Sequence, residues 1–253
     1  MRNSILNDRR YSIIARLGIV CLWALSSKLV SNEIMIPTIG GTLVNLIDIV
    51  TDSSFPMIIR STLLRGLAGF LISLSLAIIL GIAANISRLI YNFMMPILNF
   101  LKSVPTMAII ILALIWLSNS NAPMFVGFIM VFPILYETVL NGILNIDSKI
   151  TDMAQLYKVG SITLIRDIYI PSVIMNLKTV LTSTLGLNFK MVIAGEVLSQ
   201  PTYAIGSNLQ LQKLYLNTPG VFAWIIIIII LINVLEWGIE SAMKILKIRR
   251  QWK

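Results

Sequence analysis

Residues 61–84 read STLLRGLAGFLISLSLAIILGIAA, with Arg65 the one charge among them. A helix of this length rises about 36 Å at 1.5 Å per residue, enough to cross a hydrocarbon core of roughly 30 Å. Composition extends the reading to the whole chain. Its 253 residues are 57% apolar and 12% charged with a mean hydropathy of +0.88, against about 25% charge in a soluble domain. Gly66, Gly69, Ser73 and Ala77 recur at intervals of three or four. They predict a narrow face for close helix packing, with solute contact as the alternative.

Further apolar runs lie at about 13–30, 91–117, 124–142, 173–197 and 221–243. The expected fold class is therefore all-α, a polytopic bundle of about six transmembrane helices forming a single domain over 1–253, with both termini cytoplasmic. The first run follows a basic N-terminus without a small-x-small cleavage site and is read as a retained helix. The third, YNFMMPILNFLKSVPTMAIIILALIWL at 91–117, is interrupted by Pro96, Lys102 and Pro105. It predicts a kinked or discontinuous helix, because proline removes a backbone donor and clashes with the preceding turn.

Orientation follows from basic residues near the ends of the spans. Arg2, Arg9 and Arg10 precede the first; Arg88 follows the second; Lys149, Lys158 and Arg166 lie between the fourth and fifth; Lys244, Lys247, Arg249, Arg250 and Lys253 follow the sixth. These loops face the cytoplasm under the positive-inside rule, while Lys28, Arg60 and Arg65 stand as exceptions toward the outer side. The outer segment 31–60 contains TIGGTLVNLIDIVTDS (38–53), in which Ile39, Leu43, Leu46, Ile47 and Val50 recur at helical spacing. A helix in the outer interface and a loop helix packed on the bundle both fit.

Charge distribution and residue content exclude several function classes. The net charge of +9 is scattered between apolar runs instead of forming a solvated patch, so nucleic acid is not expected. There is no histidine, and Cys21 is the only cysteine; no disulfide or thiolate metal site is expected from this chain. No GxxxxGK[ST] run and no carboxylate pair suited to hydrolysis occurs, so the chain is not expected to be an enzyme or to carry a cofactor.

The cytoplasmic loop 144–172 is long for a simple connection. Its centre reads DMAQLYKVGSITLIRDIYIP, Asp152–Pro171. Asp152 is placed to begin a helix or sit in its first turn, with Met153, Leu156 and Tyr157 on one face. Gly160 allows a bend, Ser161 and Thr163 start a second short helix carrying Ile162, Ile165 and Tyr169, and Pro171 stops it. The outcome is a helical hairpin with an apolar face suited to a soluble partner, or an interfacial loop covering span ends.

Within the fifth run, Thr182, Ser183, Thr184 and Asn188 supply polarity, and Lys190 and Glu196 supply charge at membrane depth. Such charge is expensive in lipid, so pathway or gate involvement stands beside a structural pair or an interfacial position. Lys190 and Glu196 are six residues apart and fall on different helix faces.

The loop resembles the cytoplasmic signature of binding-protein-dependent ABC importer permeases: Glu-Ala-Ala, three residues, Gly, nine residues, then Ile-x-Leu-Pro. Aligned on Pro171, the chain supplies Asp152, Met153 and Ala154, Lys158 where the glycine stands, then Ile168, Ile170 and Pro171. KSVPTMAIIILALIW (102–116), FPILYETVLNGI (132–143), RGLAGFLISLSLAIILG (65–81) and NFKMVIAGEVL (188–198) resemble segments of the nitrate, sulfonate and taurine-type subfamily.

The resemblance implies a permease subunit that forms a path for a small solute delivered by an extracytoplasmic binding protein. It also implies a second permease subunit, identical or related, and two cytoplasmic ATPases carrying ATP and Mg, all in a bacterial cytoplasmic membrane. Carried over residue by residue, Asp152, Met153, Ala154, Leu156, Tyr157, Lys158, Gly160, Ile162, Ile165, Ile168 and Pro171 become candidates for coupling to the ATPase. Thr182, Ser183, Asn188, Lys190 and Glu196 remain candidates for the pathway or gate. An ion-gradient-driven secondary transporter and a non-transporting membrane scaffold are the alternatives.

Overall fold

A computed structural model of the chain describes residues 9–250. The described elements are α1 (Arg9–Val30), α2 (Ile39–Thr51), α3 (Phe55–Ile86), α4 (Arg88–Ser103), α5 (Thr106–Trp116), α6 (Ala122–Leu144), α7 (Ser148–Leu156), α8 (Ser161–Leu164), a π-helical turn (Ile165–Tyr169), α9 (Ile170–Ser199), α10 (Ile205–Leu214) and α11 (Thr218–Arg250). No strand occurs among the described residues, as the all-α expectation requires. The expected cytoplasmic termini, with Arg2 and Lys253, lie outside them.

Among the described residues, three helices are long and apolar enough to cross a membrane: α3, α6 and residues Thr218–Met243 of α11. A fourth crossing results if α4 and α5 count as one, but they meet at 104°. The break falls at Val104 and Pro105, so the interruption expected within 91–117 is a sharp corner. At 16 and 11 residues, the two arms extend only about 24 and 16 Å. Lys102, beside the corner, pairs with Glu137 of α6. Helix α9 has the length to cross at 30 residues, yet Asn176, Lys178, Asn188, Lys190 and Glu196 lower its apolarity. Asn188 and Glu196 are buried in protein, which can keep such groups, whereas Lys190 is exposed.

The chain divides into two compact units, Met1–Pro56 with Asn208–Ile229, and Met57–Ser207 with Ile230–Lys253. In the first, Trp23 Nε1 donates to Pro37 O at 2.9 Å and its ring stacks on Phe222. Thr38 caps α2, its Oγ1 accepting from Gly41 N at 3.0 Å and satisfying one orphan amide of the first turn. Asn217 Nδ2 donates to Asn45 Oδ1 at 2.8 Å. The predicted periodicity of 38–53 is thus realised as a helix, with Leu43, Val44, Ile47 and Val50 exposed. Past its end, Asp52 accepts from the hydroxyl and amide of Ser54, which hold its carboxyl below the usual range.

The second unit is built around α6 and α9. Along α3 the small residues Gly66, Gly69, Ser73, Ala77 and Gly81 are buried, whereas Leu64, Leu71 and Ile79 are exposed. This is the packing arrangement anticipated for 61–84: small side chains let backbones approach, and large ones remain for lipid. Phe189 packs on Gly66 and the Met124 carbonyl on Gly69, each closer than a Cβ would allow. Ser73 Oγ bonds with the carbonyls of Gly69 and Phe128, both at 2.9 Å. On α6, Phe125, Phe128, Phe132 and Tyr136 form a ladder of tilted rings with successive centroids 6.1, 5.8 and 6.1 Å apart, and Phe132 and Tyr136 enter the core with Phe70, Leu98 and Phe189.

Candidate functional sites

Helix α7 begins five residues before the expected start. Asp147 caps it by accepting from Lys149 N at 3.0 Å, so Asp152 lies within the helix; two aspartates compete for the cap, and the earlier one encloses an additional turn. The helix ends in a Schellman motif: Lys158 N donates to Gln155 O at 3.0 Å and Val159 N to Ala154 O at 2.8 Å. That closure requires a left-handed residue, normally glycine, at the position Lys158 occupies. Lys158 has φ of 50° and no glycine of the chain has a positive φ. The turn is therefore made by Lys158 and not by Gly160, and the glycine of the signature acquires a physical meaning.

Pro171 is likewise corrected from a stop to a start. It occupies the first turn of α9, and the helical chain passes into it without a break through the π turn Ile165–Tyr169, so the proline falls where the helical register changes. The wider turn shifts the helical register, which separates residues expected on one face. Ile162 is 83% exposed, Ile165 is half-buried, and Ile168 lines a cleft of about 390 Å³ with Ile146, Asp147, Ile150, Asp167, Ser172 and Met175. Met153, Leu156 and Tyr157 are exposed, and Ala154 is buried. The hairpin thus presents an apolar surface that the described residues leave exposed.

At the other end of α9, Glu196 is fully buried. Its partner is Arg65 of α3, whose Nη1 lies 2.7 Å from Glu196 Oε1. Thr62 Oγ1 donates to Oε1 at 2.9 Å and Gly206 N to Oε2 at 3.1 Å. Ile205 N donates to Thr62 Oγ1 at 3.1 Å. Ile205 and Gly206 open α10, so Glu196 and Thr62 cap that helix from two others, and the carboxylate meets the positive end of its dipole. Arg65 also donates to Tyr203 O at 3.0 Å and Ser120 O at 3.1 Å, tying four segments together. Sequence reasoning treated Arg65 only as a topological exception and passed over Thr62; the available signal was that a buried carboxylate demands a cation.

The remaining pathway candidates separate by burial. Asn188 is buried and its Nδ2 donates to Gly66 O at 2.7 Å, which makes it a tie between α9 and α3. Thr182 is half-buried, and Ser183 and Lys190 are exposed on α9. Among the described residues, no group of three or more metal-binding side chains occurs.

Residues 73–239 match the family of binding-protein-dependent transport system inner membrane components. The chain belongs to this family. It is similar to a probable ABC transporter permease protein of Brucella melitensis, 25% identical over 174 residues that cover 68% of this chain and 70% of the relative. It is also similar to a putative aliphatic sulfonates transport permease protein of Bacillus subtilis, 22% identical over 212 residues covering 83% and 76%. A nitrate import permease protein of Leptolyngbya laminosa is 28% identical over 151 residues covering 59% and 54%. The resemblance expected from the loop and span segments is thereby shown. The chain is the transmembrane permease component of an ABC importer for small solutes, a multi-pass membrane protein.

Proposed function

We propose that this permease pairs with a second permease subunit, identical or related, in a bacterial cytoplasmic membrane. It binds two ATPases through α7, α8 and the turn between them, and receives a small solute from an extracytoplasmic binding protein. ATP and Mg belong to the ATPases. The carrying observation is the hairpin: a glycine-type turn held by Lys158 displays Leu156, Tyr157 and Ile162 to solvent. Large apolar side chains on a short, capped, solvent-facing hairpin favour insertion into a protein groove. A rigid lever with two sets of contacts is what nucleotide-driven alternating access requires. In this reading the Arg65–Glu196 cluster is a lock on the outer segment around α10.

The test is co-purification with an ATPase and a binding protein, followed by ATP-dependent uptake in proteoliposomes. A complex that assembles and hydrolyses ATP but moves no solute overturns the reading. Uptake driven by an ion gradient without ATP favours the secondary transporter.

A further inference from the structure

Helix α9 is buried through most of its second half, but an open stripe runs along it through Thr179, Ser183 and Lys190. Gly186 interrupts that stripe because something lies on it. A Cβ at Gly186 would stand 2.6 Å from Glu236 Oε1 and 3.5 Å from Ile232 Cγ2. The glycine is a notch, and the carboxylate of α11 rests in it, one helical turn from Lys190 and one from Ser183. Neither Lys190 nor Glu236 takes part in the ion pairs found among the described residues. Arg65 and Glu196 of the same unit are, by contrast, matched.

We propose that Glu236 and Lys190 line the solute path together, as a charge-balanced zone flanked by the hydroxyls of Ser183 and Thr179. The inference rests on the permease reading and deepens it by assigning a specificity-determining pair. Two unpaired charges of opposite sign on one open face of membrane helices belong against water, because lipid opposes both. Lys190 alone would favour anions, but a carboxylate one turn away cancels that preference. The zone therefore suits a solute that carries both signs or none, and disfavours a simple anion or cation.

The test uses the full complex with Cys21→Ser and Ser183→Cys, so that the only thiol of this chain lies beside the pair, and labelling is read on this chain after it is separated from its partners. Two membrane-impermeant methanethiosulfonates are applied, one ending in a sulfonate and one in a trimethylammonium group, with rates normalised to a free thiol. Comparable reaction with both is expected. Adding Glu236→Gln raises the anionic-to-cationic rate ratio about threefold or more, and adding Lys190→Gln lowers it by a similar factor. Labelling only by a lipophilic maleimide, or a ratio indifferent to both substitutions, overturns the proposal. Recovery of the ATPase with the unlabelled variant reads the permease assignment separately; losing the ATPase indicts that assignment and not the pair. Glu236→Asp restores the ratio in part if charge is the cause, whereas a packing role predicts no recovery.

Discussion

Arg65 Nη1 lies 2.7 Å from Glu196 Oε1, and the carboxylate it meets is fully buried. The two residues are 131 positions apart, and their contact joins α3 to α9 beneath the first turn of α10. Removing one partner leaves the other as an uncompensated buried charge, which costs about 3–5 kcal/mol, while removing both costs less. Arg65→Ala is expected to destabilise the purified permease by about that amount. The double variant with Glu196→Gln should recover at least about 1 kcal/mol of it, giving a measurable coupling. Thermal unfolding in detergent of the two single variants and the double variant checks this; additive losses would show that the pair does not act as a unit.

A second prediction concerns the turn after α7. A left-handed conformation costs a residue with a side chain about 1–2 kcal/mol, and glycine escapes that strain. Lys158→Gly should stabilise the hairpin by about 1 kcal/mol, and Lys158→Val should destabilise it, because a β-branched residue tolerates positive φ least. Hydrogen exchange of the Val159 amide, which donates to Ala154 O, reads the change locally: slower in the glycine variant, faster in the valine variant.

The hairpin's exposed side chains lead to a third expectation. Ile162→Asp places a charge on the exposed apolar surface proposed to dock the ATPase, and burying it unpaired opposes association. Recovery of ATPase in a pull-down should fall about tenfold or more while membrane insertion is retained. Ile165→Asp is a poorer probe, because Ile165 is half-buried within the chain and its replacement also disturbs the π turn. Wild-type recovery with Ile162→Asp removes this residue from the docking surface.

Close packing makes Gly66 a fourth test. A Cβ there would meet the Phe189 ring at 2.3 Å, and Phe189 is fully buried, so the ring cannot simply rotate away. Gly66→Ala should destabilise by about 1–3 kcal/mol through overpacking. Phe189→Leu in the same chain should recover part of the loss by making room. Failure of the second substitution to help would locate the strain in the backbone of α3 instead.

The corrections share a cause. Asp147 and Asp152 are equally good caps on paper, and only the finished helix shows which amides lack a partner. Gly160 looks like the flexible point of the loop, yet the Schellman bonds place the left-handed residue at Lys158, because the hydrogen-bond ring counts back from Val159 to Ala154. Pro171 reads as a helix stop until the π turn supplies a helical chain ahead of it.

What the sequence determined by itself was local: apolar length, small-residue spacing, the proline break and the signature spacing before Pro171 each depend on neighbours within a few turns. Those features sufficed for a helical membrane protein and for the family. The partner of Glu196, the notch at Gly186 and the split between buried Asn188 and exposed Lys190 were decided only in three dimensions. Each depends on which residues of separate helices share a contact, and the two periodicities of a chain carry no record of that pairing.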